Sequence, residues 1–326
     1  MSPRKKIISI IIKTLVGLLS FGIIYYRLRA EFTPEKTALL SSMVFSGVGF
    51  ICLSLCLFLI PLNWGIEAYK WKVITAPIQW VSYRTATKSV YSGVCLGNLA
   101  PGRATEFLAK IIYFKIENRP KITVLHFVGG MFQLSITIIA GFFALLLKLR
   151  DFGAGSAWMT YTTTAVGILL LILLIISIYR INDLLNYISK KIGKGEEVLD
   201  FHYRFTAKSL IQLFGFSFLR YLVFFAQFFL LIYLFDQSIT TAIFPGMALY
   251  FLITTTLPMI SVIEGAIRAA VALVVFKDSG IATTALALSS VMIWIVNIII
   301  PSLAGYYFLV RQKFNFKLFR TGGHKS

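Results

Sequence analysis

Cysteine and histidine are scarce, three of each in 326 residues. Cys52, Cys56 and Cys95 fall in apolar or membrane-proximal stretches and form neither a zinc spacing nor a disulfide framework. His126, His202 and His324 have no companions at ligand spacing, so no metal and no cofactor are expected. Acidic residues are also few, 13 Asp and Glu against 32 Lys and Arg. There is no Ser/His/Asp set, no paired-aspartate metal motif and no GxxxxGK[ST] loop. With the usual catalytic constellations missing, the chain is not expected to be an enzyme.

Apolar residues supply what is present: 58% of the chain is hydrophobic and 14% charged, against roughly 45–50% and 25% in soluble domains. They come in runs of about twenty, the length that carries an α-helix across a hydrocarbon layer of about 30 Å. The formal charge of +19 would suggest nucleic acid in a soluble protein. Here the basic residues sit in short loops between apolar runs, which is the positive-inside distribution, and no basic domain stands apart. The sequence therefore predicts an all-α integral membrane protein of a bacterial-type cytoplasmic membrane, a single transmembrane domain over residues 1–326 with both termini in the cytoplasm.

Along the chain, an apolar stretch after Arg4-Lys5-Lys6 runs to about Tyr26, longer than a signal-peptide core and without a small-residue cleavage site, so it reads as a first transmembrane helix. A second helix is expected from about Met43 to Leu62. Asn63 to Thr75 mixes Trp64, Tyr69 and Trp71 with Lys70 and Lys72 and reads as an interfacial segment. Further helices are expected at about Ile122–Leu147, Trp158–Tyr179, Ser209–Phe235 and Ile281–Val310. Between the middle pair, Arg180 to Lys208 holds six basic and four acidic residues, a cytoplasmic loop with a short surface helix near Asp183 to Ile192.

Two segments fit neither span nor loop. Residues 83–117 are divided by Pro101-Gly102 into halves of about fifteen residues, each too short to cross alone, and basic residues flank both ends. Residues 241–276 repeat the pattern, with a break at Thr256-Leu257-Pro258 and flanks poor in positive charge. The first reads as a re-entrant hairpin entering from the cytoplasm and the second as one entering from outside. About six full spans and two oppositely inserted hairpins make an inverted repeat, the arrangement that builds transporter sites near the midplane. The alternative is two proline-kinked helices with no shared purpose.

Within the first hairpin Arg103, Glu106 and Lys110 fall at i, i+3 and i+7, and Tyr113 and Glu117 continue the stripe. Arg84, Lys88, Tyr91, Cys95 and Asn98 form a comparable stripe on the other arm. Charged residues at membrane depth cost about 2.5–3.5 kcal/mol each on insertion scales, so these seams are expected to face a common cavity. Pro101 suits a first helical turn, Gly102 admits a ligand close to the backbone, and Arg103 can grip a phosphate by two hydrogen bonds. The bland alternative pairs Arg103 with Glu106 only for neutrality. In the second hairpin Glu264 and Arg268 are spaced i, i+4 as a helical pair. Arg220 lies in the middle of an apolar run and needs a partner, Glu106 or Glu264. Four cations, Arg103, Lys110, Arg220 and Arg268, then face two acids, and an anionic ligand would complete the balance.

The phrase Asn98-Leu99-Ala100-Pro101-Gly102-Arg103-Ala104-Thr105-Glu106 resembles the N-x-x-P-G-R-x-x-E signature of the lysylphosphatidylglycerol synthetase transmembrane-region family, the flippase-like domain proteins. Glu67-Ala68-Tyr69-Lys70-Trp71-Lys72 looks like that family's aromatic-basic segment. Pro258, Gly265 and Arg268 match its second motif, but Ala269 stands where a Glu is expected, with Glu264 nearby to replace its charge. The resemblance implies a lipid-handling membrane protein. Members that make aminoacyl lipids carry a soluble transferase domain after the membrane part, and the sequence to Ser326 shows none.

Together these readings predict binding of an anionic phospholipid or lipid-linked head group, and its movement between leaflets, by Asn98, Pro101, Gly102, Arg103, Glu106, Lys110, Arg220, Glu264 and Arg268. An accessory subunit or enzyme of lipid head-group or polyprenyl-linked glycan modification is the first alternative. A membrane scaffold without a ligand is the second.

Overall fold

A computed structural model describes residues 34–100, 103–148, 157–183, 185, 187, 205–241, 243–257, 264–277 and 279–312. The expected first helix, the Pro101-Gly102 and Pro258 breaks and most of the 180–208 loop lie outside them. Among the described residues the chain is helical and has no strand. The elements are α1 (Pro34–Val44), α2 (Gly47–Thr75), α3 (Tyr83–Gly97), α4 (Glu106–Ile111), a 3₁₀ turn (Ile116–Asn118) and α5 (Arg119–Lys148). Then come α6 (Ala157–Tyr179), α7 (Ala207–Phe235), α8 (Ile243–Thr256), α9 (Glu264–Val275), α10 (Thr283–Trp294), a π turn (Ile295–Ile299) and α11 (Ile300–Arg311).

Five helical stretches among these residues are long and apolar enough to cross a membrane: Gly47–Thr75, Ile116–Lys148, Thr160–Tyr179, Ala207–Phe235 and Thr283–Arg311. The protein is a multi-pass helical membrane protein. Its last span is the most enclosed, 67% buried across its apolar window, whereas Thr160–Tyr179 is 6% buried. The former is central. The latter presents Ile172, Leu173 and Ile175 outward and touches the bundle through α5, where Gly167 admits the ring of Phe142.

The second helix differs from expectation. It does not stop near Leu62 but continues to Thr75, and Asn63 to Thr75 is its carboxy-terminal half rather than an interfacial segment. Ser46 caps its start by accepting from the Gly49 N–H at 3.0 Å. Pro61 removes one backbone donor without ending the helix, as neighbouring helices permit in a membrane bundle. Trp64 and Trp71 are buried while Tyr69 stays exposed. The aromatic and basic residues suggested an interface because composition does not tell which face of a helix they occupy.

Both interrupted segments are broken helices. Ser82 caps α3 by accepting from Thr85 N–H at 3.2 Å, and the helix ends at Gly97-Asn98. The chain then turns back so that α4 packs on α3. Gly93 and Gly97, four residues apart, make this possible. A Cβ at Gly93 would lie 2.8 Å from Lys110 Cγ, and one at Gly97 would lie 3.1 Å from Glu106 Cβ. The small-xxx-small pattern thus brings two backbones together. Thr105 Oγ1 closes the turn on the Leu96 carbonyl at 2.6 Å. The second arm is shorter than the expected half-helix, six residues only, before the 3₁₀ turn leads into α5. α8 and α9 likewise lie against each other.

One tie at the end of α7 is electrostatic. Asp236 follows α7 and accepts from the Ser238 hydroxyl and from the N–H groups of Ser238 and Ala282, the latter both at 3.0 Å. The Ser238 hydroxyl first, then the two amides, hold its carboxyl below the usual aspartate value. Depression of the folded-state value means that the tie stabilises above the unfolded value and is lost as pH falls through the folded one. Asp236→Ala is therefore expected to cost about 1 kcal/mol, as for loss of a helix cap, in thermal unfolding at neutral pH. As pH falls from about 3.9, the ordinary aspartate value, through the lower folded value, variant and wild type should converge; parallel curves at all pH values would show that the carboxylate is not the stabilising group.

Candidate functional site

The inner ends of both broken helices open onto one cavity of about 510 Å³. α2, α5, α7, the end of α10 and the π turn supply the rest of its wall. Of the expected residues Asn98, Arg103, Glu106, Lys110, Arg220, Glu264 and Arg268 all line it. Pro101 and Gly102 lie outside the described residues. Arg84, Lys88 and Glu117 do not line the cavity: they are exposed, and the stripes to which they belong become buried only toward Asn98 and Lys110. The Tyr113 hydroxyl bonds Ser92 Oγ at 2.8 Å, a link between the two arms of the hairpin.

Glu67, which the sequence placed in an interfacial segment, is the centre of the charge network. Its carboxylate meets Arg220 Nη1 at 2.7 Å, Lys70 Nζ at 2.9 Å and Lys110 Nζ at 3.6 Å. Arg220 is thus paired with Glu67, not with Glu106 or Glu264. Arg220 Nε also donates to Asn63 Oδ1 at 3.0 Å, and Nη1 lies 3.4 Å from Gln133 Oε1. Asn63 Nδ2 in turn donates to Asn297 Oδ1 at 3.0 Å. Asn297 sits in the π turn, an irregularity often found at functional sites, and donates to the Ile293 carbonyl at 3.3 Å. Asn63, Glu67 and Lys70 recur at i, i+4 and i+7, a one-face polar stripe that could have been found by extending the helix through Leu62.

A second carboxylate extends the network. Glu106 meets Lys110 Nζ and Arg103 Nη2, each at 2.9 Å, so the predicted i, i+3, i+7 stripe is one connected set. The Arg103 contact is an ion pair without an aligned hydrogen bond. Its side chain is 37% accessible against 2% for Lys110. Arg103 also has a φ of 59°, the left-handed region, which costs a residue with a side chain about 1–2 kcal/mol. Across the cavity Arg268 Nη2 pairs with Glu264 Oε1 at 3.0 Å, as the spacing predicted.

Aromatic rings steady the cations. The Arg220 and Arg103 guanidinium carbons lie 5.2 and 6.0 Å from the Trp64 ring centre, and Lys110 Nζ is 5.0 Å from that of Trp71. Each distance is within cation–π range. A relay fixes the short helix: Trp71 Nε1 donates to Ser89 Oγ, which donates to the Lys110 carbonyl, both at 3.0 Å. His126 also lines the cavity, its ring among Trp71, Phe107 and Phe127. Gly129 borders the cavity and offers its carbonyl to Lys70 Nζ at 3.4 Å. Among the described residues no group of three or more His, Cys, Asp or Glu is arranged to hold a metal.

The charge count changes from the expected four against two. Among the described residues Lys70, Arg103, Lys110, Arg220 and Arg268 face Glu67, Glu106 and Glu264, five cations against three anions in one cavity. The excess of two positive charges survives the addition of the missed pair. Chemically the site is suited to an anion that enters beside Arg103, its most accessible cation.

The two ends of the network should respond differently to substitution. Glu67→Gln takes the carboxylate from Lys70 and Arg220 and leaves Lys110 with Glu106 alone, and is expected to cost about 3–5 kcal/mol, as when one partner of a buried pair is removed. Arg103→Gly relieves the left-handed backbone while losing a partly exposed ion pair worth about 0–1 kcal/mol, so its unfolding temperature should stay near that of wild type. Thermal unfolding in detergent measures both; a Glu67→Gln protein as stable as wild type would contradict the network as drawn.

No protein-family model matches the chain, and no curated protein matches it.

Proposed function

We propose that this protein binds the head group of an anionic lipid, or of a lipid-linked precursor, in the cavity between its two broken helices and passes it between the leaflets of a bacterial cytoplasmic membrane. The observation that carries this reading is the charge of the cavity, five cations against three anions among the described residues. Permanent excess charge at membrane depth is expensive, and a bound anion removes that expense. Arg103 is the cation best placed to receive a phosphate, because its side chain is the most accessible of the set and its hydrogen-bond donors are not fully used.

The two interrupted helices are consistent with an inverted pair that meets near the midplane, and such pairs surround transport sites. The resemblance of residues 98–106 to the signature of the flippase-like domain proteins points the same way. In this reading both termini face the cytoplasm. Glu106 exchanges between Lys110 and Arg103 during the cycle, Glu264 pairs with Arg268 on the opposite wall, and Arg220 keeps the central charge in place.

The test is movement of head-labelled phosphatidylglycerol across proteoliposome membranes, read as reduction of the label by an impermeant reagent. Wild type should accelerate movement over empty vesicles. Arg103→Ala and Glu106→Gln should each lower the rate by at least about tenfold, the effect of removing roughly 1.4 kcal/mol of binding to a charged group. Rates equal to those of empty vesicles for every anionic lipid would remove the transport reading.

A further inference from the structure

The cavity also holds information about which head group it takes. Its three carboxylates are already engaged by cations: Glu67 by Lys70, Arg220 and Lys110, Glu106 by Lys110 and Arg103, and Glu264 by Arg268. An ammonium group entering here would meet the cationic excess and would reach a carboxylate only by displacing a resident cation. An anion faces no such competition.

The residues that wall the cavity also include buried hydrogen-bond donors that lack acceptors among the described residues. Trp64 Nε1 and Asn98 Nδ2 are both buried without a hydrogen-bond partner, as is the Tyr221 hydroxyl, and all three residues line the cavity. The residues are 2%, 3% and 7% accessible. Indole and amide N–H groups only donate, and a buried donor left unmade is destabilising. These groups ask for oxygen atoms beyond those that the arginines and lysines would engage. The cavity, at about 510 Å³, lies within the roughly 300–1,000 Å³ of sites that enclose whole small molecules, and its aromatic walls can flank the carbon skeleton of a polyol.

From this juxtaposition of engaged carboxylates, surplus cations and unfilled buried donors, we infer that the cavity selects a phosphate head group bearing hydroxyls, a glycerol-, inositol- or sugar-phosphate, and rejects one bearing an ammonium. The inference rests on the reading of the cavity as a head-group site and narrows it. The cationic arm handles the phosphate. Trp64, Asn98 and Tyr221 address the polyol oxygens.

Native mass spectrometry of the full chain in detergent tests this with dihexanoyl lipids at matched concentrations: phosphatidylglycerol, phosphatidylinositol, phosphatidic acid, phosphatidylethanolamine and lysyl-phosphatidylglycerol, beside free glycerol 3-phosphate. Phosphatidylglycerol and phosphatidylinositol should be retained at least about tenfold more than either ammonium lipid, a difference of roughly 1.4 kcal/mol. They should also exceed phosphatidic acid, which lacks the polyol. Trp64→Phe keeps an aromatic ring beside Arg220 and deletes the N–H. It should reduce the preference for phosphatidylglycerol over phosphatidic acid by about 3–10-fold, the worth of one hydrogen bond.

Equal retention of phosphatidylethanolamine or lysyl-phosphatidylglycerol overturns the selection and leaves lipid binding standing. Equal retention of phosphatidic acid and phosphatidylglycerol by wild type overturns the polyol part, a result that does not depend on the variant folding. Glycerol 3-phosphate bound as tightly as phosphatidylglycerol supports the head-group chemistry and removes the lipid chains from it. No retention of any probe overturns both this inference and the reading on which it rests.

Discussion

The structure around the cavity depends on a carboxylate that is never alone. Glu67 lies on α2, yet the cations that surround it come from three helices: Lys70 from α2, Lys110 from α4 and Arg220 from α7. In a medium of low dielectric an ion pair is strongly attractive, but desolvation offsets much of that attraction unless further hydrogen bonds satisfy the remaining groups. Asn63 and Gln133 supply those bonds to Arg220, and Asn297 holds Asn63. The carboxylate thereby ties α2, α4, α5, α7 and the π turn into one polar assembly inside an apolar bundle.

This tie explains how a helix of six residues persists. A single free turn and a half is far below the length at which an isolated helix is stable, so α4 owes its conformation to what it contacts. Gly93 and Gly97 let it approach α3 closely, and the Lys110 side chain anchors it to two carboxylates. Its carbonyl at Lys110 takes the Ser89 hydroxyl. Position and charge are therefore coupled: moving α4 by one residue would take Lys110 both from Glu67 and from the space that Gly93 leaves for its side chain.

Much of this was legible locally. The Pro101-Gly102 break between two halves too short to cross, and the Arg103, Glu106, Lys110 spacing, pointed to the first hairpin and one face of its inner arm. Glu264 and Arg268 declared their pairing by spacing alone. What was not legible depended on neighbours distant in sequence. Glu67 is 153 residues from Arg220, and no local pattern joins them. The tryptophans and lysines around Glu67 have the composition of a membrane interface, and only tertiary packing shows that Trp64 and Trp71 turn inward. The π turn was equally hidden, because Ile295-Val296-Asn297-Ile298-Ile299 has the apolar character of an ordinary span, and its irregular backbone accompanies the Asn63–Asn297 contact.

The division of labour within the network bears on how a site can be both stable and responsive. Lys70, Lys110 and Arg220 are nearly inaccessible and share Glu67, so displacing any of them would expose a buried charge. Arg103 is different: it is accessible, backbone-strained, and paired with a carboxylate that keeps Lys110 when Arg103 leaves. In the proposed cycle an arriving phosphate can therefore take Arg103 from Glu106 without leaving either acid unpaired. In that proposal ligand exchange is confined to the rim of the cavity, while the charges that hold the helices together stay fixed. A site whose every cation were as buried as Lys110 would bind an anion only by rearranging the bundle, and one whose every cation were as free as Arg103 would lack a scaffold to hold it.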